Sequence, residues 1–253
     1  MRKVLLVGVA ALVAVALLGS TGCRRVKLAD APDGSPASVS TETTRVALGE
    51  AEALETTIRM GVGELKVYAG EASSTVALDG TFNYAPASWR PEVAYRMAGT
   101  HGLLSISQPE RIGSPSFRET ENTWLLAIAP DVPTDLSLRL GVGESNINLR
   151  GVDITGLEVV TGVGEAKIDL SGDRTHDLTA DIECGVGEVT VSVPRGTGVR
   201  ISRGSEDGLG DLEAEGFRSD GRDLVNSSWS ALGPRIELNI KAGIGDVKVI
   251  SVD

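Results

Sequence analysis

One short string constrains this chain more than any other feature. Gly141-Val142-Gly143-Glu144 returns in near copies at Gly61 to Glu64, Gly162 to Glu165, Gly185 to Glu188 and Gly243 to Asp246. The three middle copies begin 21 and 23 residues apart, and the columns on either side recur with them. Met60, Leu140, Thr161, Cys184 and Ala242 stand just before the first glycine, and the residue between the glycines is always Val or Ile. After the acidic residue the chain alternates, as in Leu65-Lys66-Val67, Ala166-Lys167-Ile168 and Val247-Lys248-Val249. Alternation of period two is the signal of a strand. A fixed period near twenty residues marks a repeat that stacks on copies of itself.

A short strand, a glycine turn and a second short strand make one coil of a β-solenoid, with each coil laid on the next in chain order. This expectation places Val62, Val142, Val163, Val186 and Ile244 in interior rows, each contributing about 1.5–3 kcal/mol on full burial. The 58 residues from Gly185 to Gly243 leave room for about two further coils and an insertion. Thirty-one glycines with 4% aromatic residues fit a turn-rich all-β chain and not a helical one. The domain is expected over residues 45–253, with an irregular N-terminal part at 45–129 and regular coils with a closing repeat at 130–253. In the irregular part, alternating stretches fall at Thr75 to Tyr84, Glu92 to Met97, Leu103 to Gln108 and Trp124 to Ala129. Most of the aromatic residues gather there: Phe82, Tyr84, Trp89, Tyr95, Phe117 and Trp124. They form either an exposed platform for sugar or peptide, or a cap of large side chains. The cap is favoured, because a terminal repeat has to stop further stacking.

The N-terminus carries an export pattern. Arg2 and Lys3 precede an apolar run from Val4 to Leu18, and Gly19-Ser20-Thr21-Gly22-Cys23 follows. About 15 apolar residues suit a signal core better than a membrane span. Small residues before a cysteine resemble the bacterial lipoprotein cleavage box, with Ser20 replacing the usual Leu. The expectation is a signal peptide over 1–22, a lipidated Cys23 as first mature residue, and a flexible tether over 23–44 rich in Ala, Pro, Ser, Asp and Thr. The mature chain then holds 22 Lys+Arg against 35 Asp+Glu, a net charge of -13. Such a surface does not seek nucleic acid or anionic lipid, so the lipid supplies the membrane contact.

Glu64, Glu144, Glu165, Glu188 and Asp246 share one repeat position and are expected to point outward, since the next residue of each copy is small or apolar and points in. At a coil spacing of about 4.8 Å, neighbouring carboxylates repel by about 3–4 kcal/mol at an effective dielectric near 20 and about 1 kcal/mol in water. Lys66, Lys167 and Lys248 two residues on, and Arg59, Arg139 and Lys241 before the turn, are candidate partners. The ladder is therefore a salt-bridged surface, a site for a divalent cation or cationic peptide, or, least of all, a catalytic pair. Nothing else points to an enzyme or a cofactor: His101 and His176 have no ligand or triad spacing, and the Gly-x-Gly strings open no helix. Cys184 occupies an inward column. Arg111 to Thr123 is expected as an exposed loop. Gly204 to Asp211 is an acidic glycine loop that lacks the ligand order of known calcium loops, with Phe217 and Trp229 packing under the same insertion.

Pro133-Thr134-Asp135-Leu136 leading to the glycine string, Leu149-Arg150-Gly151, Leu157 to Gly164 and the closing Ile236 to Gly245 resemble the toast-rack domains of bacterial envelope proteins. These domains, of largely unknown function, are similar to the C-terminal domain of some cell-wall-stress regulators. The resemblance implies a right-handed, single-stranded β-solenoid. Taken together, these features lead to a non-catalytic, lipid-anchored envelope module that binds, scaffolds or regulates, with another envelope protein as its partner. A carbohydrate-active β-helix enzyme and a cation-dependent adhesin are the alternatives.

Overall fold

The structure is a computed structural model, described for residues 38–72, 75–109, 120–203 and 211–252. The expected signal peptide and Cys23, most of the tether, Phe117 with residues 110–119, and the glycine loop over 204–210 lie outside these residues. The described chain is all-β, and a single 3-10 turn at Ala87–Trp89 is its one helical segment.

The N-terminal half supplies β1 (Ser40–Ala47), β2 (Ala53–Ala69), β3 (Val76–Ala85), β4 (Glu92–Ala98), β5 (His101–Ser107) and β6 (Glu121–Ile128). The regular centre is β7 (Thr134–Asn148), β8 (Ile154–Asp169) and β9 (Leu178–Pro194). The remainder is β10 (Gly198–Arg203), β11 (Asp211–Ala214), β12 (Phe217–Asp220), β13 (Asp223–Asn226), β14 (Arg235–Ile244) and β15 (Asp246–Val252). The alternating stretches expected in the N-terminal half are thus β3 to β6, with each end within three residues of expectation. β1 begins at Ser40, five residues before the expected domain start, and pairs along its whole length with β3.

The repeats stack in parallel and in register. Gly63 pairs with Gly143, Gly143 with Gly164, and Gly164 with Gly187. β14 and β15 together form the next layer, with Ile244 opposite Val186 and Val247 opposite Val189. Inward rows run through the stack, such as Ile58, Leu138, Val159, Ile182 and Ile240, all 7% exposed or less. The column before the first glycine is also inward: Met60, Leu140, Thr161 and Cys184 are buried and Ala242 packs against them.

The glycine string differs from expectation in one respect. It is not a turn between short strands but a bend inside long ones; β7, β8 and β9 run through it over 15, 16 and 17 residues. Leu140 and Ser145 both face the core with an odd number of steps between them, so the alternation slips once at the bend. Gly141 and Val142 fall outside as a result. The central column is therefore not interior: Val62, Val142, Val163, Val186 and Ile244 are 42%, 48%, 48%, 42% and 55% exposed. β-branched residues suit the extended backbone there.

The glycines are required by how closely the bends nest. A Cβ on Gly143 would lie 1.8 Å from the Gly63 carbonyl oxygen, and Gly164, Gly187 and Gly245 repeat that distance on the glycine one layer below. Their φ angles, 142°, 141°, 142° and 128°, lie where side chains are rarely tolerated. The first glycine of each string is also confined: a Cβ on Gly162 would be 2.4 Å from the Gly141 oxygen.

At both ends the layers depart from chain order. β5 and β6 lie beneath β2, although they follow it in sequence. β10 and β11 lie beyond β14 and β15, although they precede them. Antiparallel strands then cover the end layers: β4 on β5, β3 and β1 on β6, and β13 and β12 on β10. The described residues between Gly185 and Gly243 thus hold one further layer and a hairpin, not two successive coils. The bend stack closes on side chains at the β2 end. Gln108 Oε1 accepts hydrogen bonds from the Gly61 and Val62 amides at 2.8 and 3.1 Å, and Asn122 Nδ2 donates to the Val62 carbonyl at 2.6 Å.

Five of the six aromatic residues gathered in the irregular part lie among the described residues, and they form a cap and not a platform. Phe82 and Trp124 are fully buried edge to face, with centroids 5.5 Å apart, and Trp124 Nε1 donates to Asn122 Oδ1. Tyr84 is buried, and Trp89 and Tyr95 pack against the core. Gly102 leaves room for the Tyr95 ring, whose hydroxyl donates to the Leu48 carbonyl at 2.6 Å.

Gly164→Ala is expected to cost more than about 3 kcal/mol, because backbone has to move in two layers at once. Leu138→Ala should cost about 2–5 kcal/mol. Val163→Ser should cost less than about 1 kcal/mol, despite lying next to the glycine. Urea unfolding of the three variants measures that order.

Candidate functional site

The acidic ladder is the surface that the sequence singles out. The next residue of each copy, Leu65, Ser145, Ala166, Val189 and Val247, is buried, so the acids face outward. Glu64, Glu144, Glu165 and Glu188 stand side by side in successive layers. Asp246 continues the row beside Glu188 and pairs with Asp211, which the sequence pattern did not include. Thr123 takes the position below Glu64.

A second row, two residues on, offsets part of its charge. Lys66 Nζ is 2.6 Å from Glu64, and Lys167 Nζ contacts Glu165. The hydrogen bond that Lys167 donates to Glu165, the charge of Glu165, and then the fields of Glu144 and Glu188 raise the Lys167 pKa above its ordinary value of 10.5. Lys248 departs from expectation by pairing with Glu213 of the next layer at 3.5 Å. Arg139 turns away from the ladder to Glu158, which also accepts from Ser137 Oγ at 2.7 Å. The result is an acidic strip with a lysine in every second layer. Among the described residues no three His, Cys, Asp or Glu side chains are grouped as metal ligands.

On the outer face of the other half-strands, Asp135 lies between Glu55 and Gly156 of the adjoining layers. Its carboxylate oxygen occupies the space of the Cβ that Gly156 lacks, 2.5 Å from where that atom would be. Desolvation first, then the charges of Glu55 and Glu158, push its pKa above the ordinary 3.8. With His101, Asp135 lines an open depression of about 390 Å³. His176 is exposed, its Nδ1 3.2 Å from Asp153. Cys184 is a buried free thiol in the inward column. Phe217 packs against the core under the C-terminal insertion, and Trp229 carries Arg200 at 4.4 Å and Arg235 at 5.0 Å over its ring.

Residues 35–192 match the family model described as the N-terminal domain of toast_rack, DUF2154. The chain belongs to the toast-rack family. The toast-rack match runs from the residues preceding β1 into β9 and so includes four of the five glycine strings. This toast-rack chain is also similar to a crystal structure described as a "putative cell adhesion protein" from Clostridium sporogenes ATCC 15579. The two share 33% identity at a TM-score of 0.78, over 84% of this chain and 99% of that one. A second structure, a "putative adhesin" from Bacteroides fragilis NCTC 9343, matches at 9% identity and a TM-score of 0.26, over 84% and 97% of the two chains. No curated protein matches.

Two pH effects follow from these carboxylates and their partners. Lys167 has a raised folded pKa, so its stabilising contribution is complete below about pH 10.5 and is lost as pH rises through the folded value. Lys167→Met should lower the melting temperature at pH 7, and the gap to wild type should close above that range in calorimetry. Asp135 has the opposite sign: a carboxyl with a raised folded pKa weakens the fold as it ionises above pH 3.8. Asp135→Asn should therefore raise the melting temperature at pH 7 by about 1–3 °C, with the gain gone at pH 3.

Proposed function

We propose that this toast-rack protein is an exported, non-catalytic binding module of the bacterial cell envelope, held to the membrane by a lipid on Cys23. The observation that carries this reading is the 33% identical structure named as a putative cell adhesion protein, which this chain covers almost completely. Adhesion is the form of binding that this similarity favours. Export and lipidation rest on Arg2 and Lys3, the apolar run and the small residues before Cys23. In this reading the mature chain has a tether that ends before β1 at Ser40, shorter than the sequence suggested, and one right-handed, single-stranded β-solenoid with coils of about 21–23 residues. Handedness and coil length come from the family resemblance and the spacing of the strings.

The ladder fits a non-catalytic role. Its carboxylates recur from layer to layer with lysines among them, whereas a hydrolase needs one pair of carboxylates set apart in their environments. A flat acidic strip with lysines in every second layer selects a partner by complementarity and does little to a covalent bond.

Detergent phase partition of the expressed chain in a bacterial host tests the anchor. Wild type should enter the detergent phase, and Cys23→Ser should move to the aqueous phase; equal partition of the two would remove lipidation. Crosslinking in native membranes with mass spectrometry tests the binding role. Recovery of envelope proteins supports it, and turnover of an envelope glycan that is abolished by Glu165→Gln overturns it.

A further inference from the structure

The aromatic residues named from sequence are largely taken up by the cap, but one outside that group is not. Tyr68, the last outward residue of the first repeat, is 42% exposed. It ends a row that crosses four strands: Arg45 of β1 pairs with Asp79 of β3, Asp79 with Ala127 of β6, and Ala127 with Tyr68 of β2. All four side chains are on the outer face. Adjacent strands are about 4.8 Å apart, so the backbones bearing Tyr68 and Asp79 are about 10 Å apart, with only the methyl group of Ala127 between them. The row therefore forms a trough with a phenol ring on one side and an acid–base pair on the other. Gly70 and Glu71 continue its lining, and the open volume is about 550 Å³.

We propose that this trough binds a neutral pyranose ring of a glycan chain. Each wall supplies one part of that recognition. A sugar ring has an apolar face of C–H groups, which packs on an aromatic face, and an equatorial belt of hydroxyls that donate and accept. Asp79 accepts from adjacent hydroxyls, and Arg45 donates to their oxygens in a fixed fork. The two already face each other across a single 3.7 Å contact, Nε to Oδ2, with side chains 63% and 54% exposed. That contact orients them and leaves their remaining donors and lone pairs directed at solvent. The carboxylates of Asp79 and Glu71 on the rim select against acidic sugars and phosphorylated glycans. The open shape lets a polymer lie along the trough, so a long chain can enter without a free end.

The trough exists only because chain order is broken at this end. β3 and β1 bring Asp79 and Arg45 beside β6, and β6 carries alanine at the position between them and Tyr68. The proposal rests on this groove alone and stands whether or not Cys23 is lipidated, so the partition experiment and the one below fail independently.

The test is saturation-transfer NMR on the full chain in micelles of a detergent that carries no sugar. Chitotriose, cellotriose and maltotriose serve as probes, each at about 10 mM, a concentration that detects millimolar binding. At least one should receive saturation from aromatic protons. For that sugar Tyr68→Ala should weaken binding tenfold or more, Tyr68→Phe should stay within about twofold, and Asp79→Asn should weaken it several-fold, since stacking is the larger part. Tyr68 is exposed, and an unchanged melting curve for Tyr68→Ala shows that the fold is intact. Absence of transfer to all three sugars overturns the proposal, as does binding that survives Tyr68→Ala. Displacement of the bound sugar by trilysine with Tyr68→Ala leaving trilysine binding intact would also overturn it, marking the trough as a cation site.

Discussion

The contact between glycine Cα atoms and the carbonyl oxygens one layer below governs the rest of the structure. Each long strand has to bend so that its two halves enclose a shared core, and bends in adjacent layers can nest only if nothing projects between them. A Cβ at the second glycine would lie 1.8 Å from an oxygen, far inside van der Waals contact. With the glycines in place, every layer superposes on the next, and side chains in equivalent positions fall into rows. The inward rows make the core, and the outward rows make the charge ladder. The ladder is thus a consequence of nesting before it is anything else.

Repetition of this kind has no natural stop, and the two ends show how one is imposed. At the β2 end the oxygen of Gln108 and the amide of Asn122 take over the hydrogen bonds that another bend would have made. Phe82, Tyr84 and Trp124 fill the space that opens where β3 turns antiparallel. Arg90 grips both carboxylate oxygens of Glu42 at 2.7 and 2.6 Å, tying the turn after β3 to the outermost strand. At the other end β13 and β12 cover β10 in the same antiparallel sense. Antiparallel edges with polar residues do not offer the parallel register that another layer needs.

Much of this was legible from the repeat. The strand alternation gave β3, β4, β5 and β6 within three residues at each end, and the inward placement of Met60, Leu140 and Cys184 followed from column position alone. The valine column was misplaced, because alternation counted through the string assumes an unbroken strand and the bend consumes one step. The partners of the ladder were half legible. Lys66 and Lys167 lie on the same strand as their acids, whereas Arg139 chose Glu158 of a neighbouring layer, and Lys248 chose Glu213 of a layer whose position the chain order conceals. Asp211 joined the ladder for the same reason.

The sequence by itself determined the all-β class, the parallel stacking of the repeats, the family, and the outward row of carboxylates. These follow from period and side-chain size, which are local and additive. Only the tertiary structure decided which layers are neighbours at the ends, where the aromatic residues go, and that Arg45, Asp79, Ala127 and Tyr68 share one row. Those juxtapositions come from strands far apart in sequence that swap places in the stack, and no spacing along the chain records them.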